Sequence, residues 1–345
     1  MDGVIPAPEP GPQRPGDGGK RRTVAITGGA GYVGSALVPY LLERGYQVSV
    51  LDLFWYGRPF PEAPGLRLVE GDIRDPEALD RAFAGADAVL HLACISNDPS
   101  FELDPALGRS INLDAFPGVL AAARRAGARR FIYASSSSVY GIREEPDVHE
   151  ESPCLPLTDY SRYKLECEAI LHQQGFEEYV ILRPATVCGW APRMRLDLTV
   201  NILTIHALVL GKIRVFGGSQ LRPNLHMRDM VEVYRLLLEA PARAVHGQTF
   251  NAGYQNLPVL EIAHKVRSVL GEGIEIEVTP SDDLRSYHIS SAKIARVLGF
   301  QPAHTVEEAI SDIARAYRAG WFREPMTNPL YYNIRRMQEL DLSGP

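Results

Sequence analysis

One glycine-rich loop constrains the fold of this chain more than any other feature of its sequence. A short β-branched run at 23–27 leads into Gly28-Gly29-Ala30-Gly31-Tyr32-Val33-Gly34, and a helical pattern follows up to residue 44. Glycines at the first, fourth and seventh positions of this loop permit a tight turn, a close backbone approach to a ligand and close packing of helix on strand. A merely flexible turn would leave the strand that follows unexplained. The pattern predicts a strand, a tight turn and a helix in that order.

Strand-like runs recur through the first half of the chain and are separated by helical segments. These runs lie at 23–27, 47–51, 66–70, 88–92, 130–134 and 179–182. Alternation of strands with helices is typical of a parallel sheet that helices cover on both faces. We therefore predict an α/β protein with a Rossmann-type doubly wound parallel sheet and a smaller mixed α/β substrate-binding lobe.

The second half of the chain has a less regular pattern. Short strands are predicted at 213–216 and 250–253, and a further strand at 274–278 lies between two helical pieces. Asp229 is predicted to be the N-cap of a helix over 230–238, because Glu232 stands three residues later, as in a capping box.

The composition argues against several classes of protein. A net charge of −6 argues against broad binding to nucleic acid or anionic membranes, and the longest apolar stretch, 202–210, is too short to cross a bilayer. The four cysteines have no C-x-x-C spacing and no secretory segment precedes them. We therefore expect no disulfide, no metal site, no nucleic-acid or membrane partner, and a cytoplasmic location.

The glycine loop also predicts a cofactor site. A helix N-terminus attracts an anion, and the glycines let the backbone approach a pyrophosphate, as in dinucleotide-binding proteins. The second predicted strand ends at Asp52, where a carboxylate accepts hydrogen bonds from a ribose diol and repels a 2′-phosphate. This position favours NAD over NADP, although a solvated carboxylate at a strand end is the alternative.

A tyrosine and a lysine stand four residues apart in a predicted helix. Lys164 is the only lysine between Lys20 and Lys212, and Tyr160 precedes it by four positions. Such residues share a helix face, and an ammonium beside a phenol lowers the pKa of the phenol toward neutrality. Tyr160 is therefore predicted to accept and donate a proton during catalysis. A surface helix whose tyrosine and lysine both face solvent is the alternative.

Four serines at 135–138 follow the fifth predicted strand. The carboxyl ends of parallel strands are where such sheets bind their ligands. A serine hydroxyl there can hydrogen-bond a substrate oxygen and share its proton with Tyr160, and Ser136 is the predicted residue for this role. A polar turn would account for one or two of the serines, but not for their position relative to the glycine loop, Asp52 and Tyr160.

Together these motifs resemble the extended short-chain dehydrogenase/reductase family, in the nucleotide-sugar epimerase and dehydratase branch that includes the UDP-glucose 4-epimerases. The resemblance covers residues 22–320 and includes Val139-Tyr140-Gly141 after the serine run. It implies NAD as cofactor and a nucleotide-diphosphate sugar as substrate, which is oxidised transiently to a keto-sugar and reduced on the opposite face. Ser136, Tyr160 and Lys164 are the implied catalytic residues. A homodimer through helices near 103–125 and 160–174 is also implied.

The resemblance extends to residues that would contact each ligand. The implied cofactor contacts are Gly28, Gly31, Tyr32, Val33, Gly34, Asp52, Asp72, Ile73, Leu92, Ala93, Tyr160, Lys164 and Pro184. The implied substrate contacts are Ser96, Asn97, Ser137, Arg193, Arg195, Asn201, Phe216, Arg222 and Arg285. Asp72 has a turn carboxylate as its alternative, and Arg193 and Arg195 have solvated loop charges. Arg222 and Arg285 have purely structural arginines as theirs.

The choice of reaction is predicted from residues that this chain lacks. The dehydratases of the branch place Asp-Glu directly after the catalytic hydroxyl, where this chain has Ser137 and Ser138. A serine hydroxyl is a poor general acid, so dehydration is disfavoured and epimerisation, at C4, is the preferred prediction. A nucleotide-sugar reductase or dehydrogenase is the main alternative, followed by a dehydratase and by an inactive cofactor-binding protein.

These predictions divide the chain into four parts. Residues 1–20, rich in proline and glycine, are predicted to be a disordered tail. An NAD-binding domain is predicted over 21–184, with 230–256 returning to it. The nucleotide-sugar-binding lobe is predicted over 185–229 and 257–325, and a C-terminal tail over 326–345.

Overall fold

The structure is a computed structural model that describes residues 22–341 except 97, 144, 146 and 282–285. The predicted tail at 1–20 and two predicted substrate contacts, Asn97 and Arg285, lie outside the described residues.

Twelve strands form within the described residues. They are β1 (Thr23–Thr27), β2 (Gln47–Asp52), β3 (Leu66–Glu70), β4 (Ala88–His91), β5 (Arg130–Ala134), β6 (Glu178–Pro184), β7 (Thr186–Cys188), β8 (Lys212–Phe216), β9 (Leu221–His226), β10 (Gln248–Ala252), β11 (Gln255–Pro258) and β12 (Glu275–Thr279). Seven of them form one parallel sheet in the order β10-β6-β5-β4-β1-β2-β3. The prediction of a doubly wound parallel sheet is confirmed.

Thirteen α-helices accompany these strands within the described residues. They are α1 (Tyr32–Glu43), α2 (Pro76–Phe83), α3 (Asp98–Phe101), α4 (Pro105–Arg109), α5 (Phe116–Arg125), α6 (Asp159–Gln174), α7 (Thr199–Leu210), α8 (Met227–Glu239), α9 (Ala242–Val245), α10 (Val259–Leu270), α11 (Ala292–Leu298), α12 (Val306–Arg318) and α13 (Asn333–Glu339).

The central sheet is buried on both faces. Successive side chains of a strand point to opposite faces, so that in β4 Val89 enters one core and Leu90 the other. In β5, Phe131 and Ile132 divide in the same way. Helices α1 and α8 cover one face, and α2, α5 and α6 cover the other. This two-sided burial explains why the strands read as continuous apolar runs.

A smaller lobe is built from the second half of the chain. Strands β7, β9 and β11 form a mixed three-stranded sheet, and β8 pairs with β12 in a parallel ribbon. Helices α7, α10 and α12 pack together over a third apolar core. The sequence analysis predicts β8, β10 and β12 but not β7, β9 or β11, because β7 and β11 are short and β9 contains Pro223 among polar residues.

The predicted start of helix α8 is wrong. The helix begins at Met227, and its N-cap is His226, whose Nδ1 accepts the Arg228 N–H at 3.0 Å. Asp229 lies inside the first turn, where its buried carboxylate accepts N–H groups from Ala303 and His304. The Asp229 carboxylate, which the local pattern assigned to the helix N-cap, is therefore hydrogen-bonded to a distant loop instead. Within the described residues, Thr305 and Glu308 form a capping box at the start of α12.

The segment predicted as a C-terminal tail contains ordered structure. A 3₁₀ turn at Pro329–Tyr331 leads into α13, and Met337 of that helix is only 1% exposed. Met337 joins the core that contains α2, α5 and α6, while Asn333 is also buried. The segment packs because its few apolar residues meet surfaces that distant parts of the chain provide.

Within the described residues, no helix is long and apolar enough to span a membrane. The same residues contain no cluster of His, Cys, Asp and Glu side chains that could hold a metal ion. The four cysteines are free thiols.

Candidate active site

A crevice opens at the carboxyl ends of the central strands. The strand order reverses between β1 and β4, and ligands of doubly wound sheets bind at such a switch point. The crevice is lined by residues that follow each of β1 to β6, together with parts of the smaller lobe.

Gly28, Gly31 and Gly34 of the glycine loop line the crevice and form a cradle in which the backbone is not covered by their side chains. Gly28 has φ +69°, and a Cβ built there would lie 2.6 Å from the backbone of Ala93. A Cβ on Gly34 would lie 2.3 Å from the carbonyl oxygen of Gly29. Gly31 caps α1 without a side-chain hydrogen bond, which leaves the positive end of the helix accessible to an anion. These observations fit the pyrophosphate of a dinucleotide.

Asp52 and Asp72 lie at the ends of β2 and β3 and line the crevice. Burial raises the pKa of Asp52, while hydrogen bonds from the N–H groups of Phe54 (2.8 Å) and Ala30 (2.9 Å) act in the opposite direction. Burial disfavours ionisation of Asp72 as well, but the Arg74 guanidinium outweighs this effect and lowers the pKa of Asp72. The other predicted cofactor contacts also line the crevice.

Tyr160 and Lys164 lie in the first two turns of α6 and both face the crevice. Lys164 is only 4% exposed, and its Nζ donates to the carbonyl oxygen of Ala134 at 2.7 Å. The same Nζ lies 5.8 Å from the centre of the Tyr160 ring. The ammonium therefore stands beside the phenol, as the four-residue spacing predicts.

A chain of hydroxyl groups connects Ser136 to the start of α6. The Oγ of Ser136 lies 2.8 Å from that of Ser138, and the Ser138 Oγ lies 2.8 Å from that of Ser161. The next hydroxyl, 3.0 Å away, is that of Thr158, the N-cap of α6. The helix that carries Tyr160 is thereby joined to the end of β5.

A buried ion pair joins the middle of α6 to β6. Glu168, one turn beyond Lys164, accepts two hydrogen bonds from Arg183 of β6, at 2.6 and 3.0 Å. Burial lowers the pKa of Arg183, but the hydrogen bond and charge of Glu168 outweigh it, so the pKa is raised. Ser135 donates to the same carboxylate. The spacing of Tyr160, Lys164 and Glu168 was the available signal for this pair, which the sequence analysis missed.

His91, at the end of β4, is a core residue. Its Nδ1 lies 2.7 Å from the Thr27 hydroxyl, and its ring is nearly inaccessible to solvent. Burial, reinforced by the charge of Lys164, lowers the pKa of His91 to about 3. The imidazole is therefore neutral at physiological pH.

Four of the predicted substrate contacts line the crevice: Ser96, Ser137, Arg193 and Arg195. Arg195 pairs with Asp197 at 2.7 Å and directs its guanidinium toward the Ser96 carbonyl. Arg193 lies near Asp52, on the side of the crevice formed by the glycine loop.

Three predicted substrate contacts do not line the crevice. Asn201 is fully buried behind it, where its side chain bonds Gly189, Tyr32 and the Arg195 carbonyl. Because these bonds occupy its amide, Asn201 holds residues of the crevice wall in place. Phe216 is 57% exposed at the end of β8. Arg222 in β9 stands 5.4 Å from the ring centre of Tyr287, which does line the crevice.

Several residues of the crevice wall were not predicted. They are Trp55 and Tyr56 after β2, Met230 and Tyr234 of α8, Tyr287, and Asn333 and Met337 of α13. Two signals were available in the sequence. Trp55 and Tyr56 closely follow Asp52, and Asn333 and Met337 are four residues apart, on one helix face.

Comparisons with known proteins agree with this geometry. Residues 24–253 match the model of the NAD dependent epimerase/dehydratase family. The chain is 27% identical to a UDP-glucose 4-epimerase of Lacticaseibacillus casei, over 87% of this chain and 96% of the relative. It is 28% identical to a dTDP-glucose 4,6-dehydratase of Streptomyces niveus, over 89% and 96%. The solved structure of MoeE5 with UDP-glucuronic acid and NAD superposes with a TM-score of 0.76 at 26% identity, covering 86% of this chain and 99% of MoeE5.

Proposed function

Because the chain belongs to the NAD-dependent epimerase/dehydratase family, we propose that it is a nucleotide-sugar epimerase that acts at C4 of the sugar. Its cofactor is NAD. Among its relatives are epimerases and dehydratases, so the choice between these reactions depends on the chain's own residues.

One observation carries this choice. Of the described residues that line the crevice, only Asp52 and Asp72 are carboxylates, and both lie at the ends of β2 and β3, away from Tyr160. Elimination of water needs an acid at the leaving hydroxyl and a base for the neighbouring proton. At the two positions after Ser136, where such an acid and base would stand, the chain has Ser137 and Ser138. The Ser138 hydroxyl is hydrogen-bonded to Ser136 and Ser161. Transient oxidation needs a hydride acceptor, for which NAD would serve, and from the protein only one proton carrier, the tyrosine.

The residues of the site have separate tasks in this reaction. The glycine loop and Asp52 would hold NAD, which would supply the acceptor and donor of the hydride of the sugar carbon. Tyr160, as phenolate, removes the proton of the sugar hydroxyl, and Ser136 hydrogen-bonds the same oxygen. Lys164 favours the phenolate through its charge. When the keto-sugar has turned its other face, Tyr160 returns the proton to the oxygen.

Conversion of UDP-glucose to UDP-galactose without added cofactor tests the proposal. The reaction is run in D₂O, followed by NMR, and repeated with a panel of nucleotide sugars if UDP-glucose is inert. We expect interconversion without deuterium in the product, because the carbon-bound hydrogen leaves and returns as the same hydride. Dehydration proceeds through an enolisable ketone and incorporates solvent deuterium.

Two outcomes would contradict the proposal. Turnover only when NADH is added, with stoichiometric consumption of that NADH, would identify a reductase, for which Tyr160 and Lys164 would serve equally well. Accumulation of a deuterium-labelled keto-sugar would identify a dehydratase. Tyr160→Phe is the control, since it leaves the ring in place and removes only the proton carrier.

A further inference from the structure

Arg193 is a buried cation without an ionic partner in the part of the chain that the structure describes. It is only 5% exposed, and none of the described carboxylates forms an ion pair with it, whereas neighbouring Arg195 pairs with Asp197. Its Nε is buried without a hydrogen bond. Burial lowers the pKa of Arg193 to about 10. A desolvated guanidinium with unused donors is costly unless an anion completes its surroundings.

The neighbours of Arg193 belong to the cofactor side of the crevice. Its backbone N–H donates to the Oγ of Ser35 at 3.1 Å, and Ser35 lies in the first turn of α1, whose N-terminus faces the glycine cradle. Its guanidinium lies 3.9 Å from the ring centre of Tyr56, in the loop that follows Asp52. The charge of Arg193 also acts on the Asp52 carboxyl.

The guanidinium is held by a residue from the end of the chain. Arg193 donates to the side-chain oxygen of Asn333 at 2.6 Å, and the Asn333 amide donates to the Ser96 hydroxyl at 3.0 Å. The Asn333 backbone N–H donates to Asp197 at 3.3 Å. Helix α13 thus joins the loop after β4 to the loop that carries Arg193.

We propose that Arg193 binds the diphosphate of NAD, and that Asn333 is a positioning residue that holds the guanidinium for this purpose. A neutral amide is suited to this task, because it orients the guanidinium without neutralising its charge. This role rests on the NAD dependence of the family and not on the proposed epimerase reaction. It also gives α13 a function, since the helix would help to retain the cofactor.

The test measures NAD and ADP affinity in four variants of the holoenzyme. Affinity is obtained from NAD retained after gel filtration and from the rise of Tm with added nucleotide. Arg193→Met should weaken NAD binding about 100-fold and Asn333→Ala about tenfold, with the same loss for ADP, which shares the diphosphate. Gln338→Ala, on the exposed face of α13, is the matched control and should bind NAD normally.

Asn333→Asp separates positioning from simple structural support. The carboxylate preserves the shape and still accepts the hydrogen bond from Arg193, but it no longer donates to Ser96 and it pairs ionically with Arg193. NAD affinity should therefore fall at least as far as in Asn333→Ala, while Tm without added nucleotide should be no lower than in Asn333→Ala. Normal NAD affinity in Asn333→Asp and Arg193→Met would overturn the proposal. So would weaker UDP binding with unchanged NAD binding, since Arg193 would then serve the substrate. If no nucleotide sugar is epimerised, the proposed function fails, but these NAD measurements remain decisive.

Discussion

At the scale of single residues, the site depends on the positions of the Tyr160 hydroxyl and of the Lys164 ammonium. Lys164 is buried, bonded to the Ala134 carbonyl and placed beside the Tyr160 ring. Its ammonium therefore cannot move away from the phenol without leaving a backbone carbonyl unpaired. Ser136 reaches the same region through its position at the end of β5.

Tyr160→Phe should lower turnover by about 10²- to 10⁴-fold, because the variant loses the group that carries the proton. NAD should remain bound, since the aromatic ring and Lys164 are unchanged. Steady-state kinetics and NAD content measured on the same preparation check both expectations. Loss of NAD with the fold intact would instead assign Tyr160 to cofactor binding.

His91 predicts an acid-dependent loss of stability. Its folded-state pKa of about 3 lies below the ordinary value of 6.5, so the unfolded chain binds more protons between these pH values. The stabilising contribution is complete above pH 6.5 and is lost as the pH falls toward 3, by an amount on the order of 5 kcal/mol.

Urea unfolding from pH 4 to pH 7 measures this effect. His91→Asn should have a lower free energy of unfolding at pH 7, because packing of the ring is lost, but a weaker dependence on pH. His264→Asn, at an exposed position of α10, should keep the original dependence. Parallel curves for all three proteins would contradict the assignment to His91.

At the scale of elements, the position of α6 decides whether the proposed catalytic residues meet. Its N-terminus is joined to β5 by the hydroxyl chain from Ser136 to Thr158, and its middle is joined to β6 by Glu168 and Arg183. Helix α6, which carries Tyr160, is therefore fixed to the sheet at two points. A change in either support should displace the tyrosine.

Glu168→Leu should lower the free energy of unfolding by about 3–5 kcal/mol, because Arg183 would be left as an unpaired buried charge. Adding Arg183→Met to this variant should restore most of the loss, since a buried pair can be replaced by apolar residues at little cost. Glu43→Leu, at the exposed end of α1 and away from the expected dimer contact, should change stability by less than about 0.5 kcal/mol. Equal losses in the single and double variants would show that the ion pair does not anchor α6.

At the scale of the whole molecule, the crevice is a product of both lobes and of the chain terminus. The ends of the central strands supply the glycine cradle and Ser136, α6 supplies Tyr160 and Lys164, the loop after β7 supplies Arg193 and Arg195, and α13 supplies Asn333. A ligand in the crevice therefore contacts parts of the chain that are hundreds of residues apart in sequence.

We expect a homodimer, on the resemblance to the extended short-chain dehydrogenase/reductases, with α5 and α6 at the interface. Light scattering after gel filtration should give twice the mass of the chain. Ala169 is an exposed small residue on the outer face of α6, so Ala169→Arg should weaken the dimer at low concentration by placing a long charged side chain in the contact. A monomer at all concentrations would contradict this expectation.

Much of the central domain follows from the sequence by local rules. The strands β1 to β6 lie within two residues of their predicted positions, because apolar runs flanked by turns have few other ways to be buried. The glycine loop, Asp52, Ser136, Tyr160 and Lys164 meet in one crevice because the ends of parallel strands converge. These relations need only the order of elements and the spacing within each.

Only the tertiary structure decided the roles of residues whose partners are distant. Asp229 is hydrogen-bonded to a loop 74 residues away instead of capping its helix. Arg193 is hydrogen-bonded to Asn333, 140 residues further along the chain. A strand with many polar residues such as β9 forms because β7 and β11 complete its backbone hydrogen bonds, and a local sequence pattern does not predict such pairing. The sequence alone therefore determined the sheet, the glycine turn and the common helix face of Tyr160 and Lys164, since each depends on short-range spacing. The wall of the crevice depended on long-range contacts that only the folded chain creates.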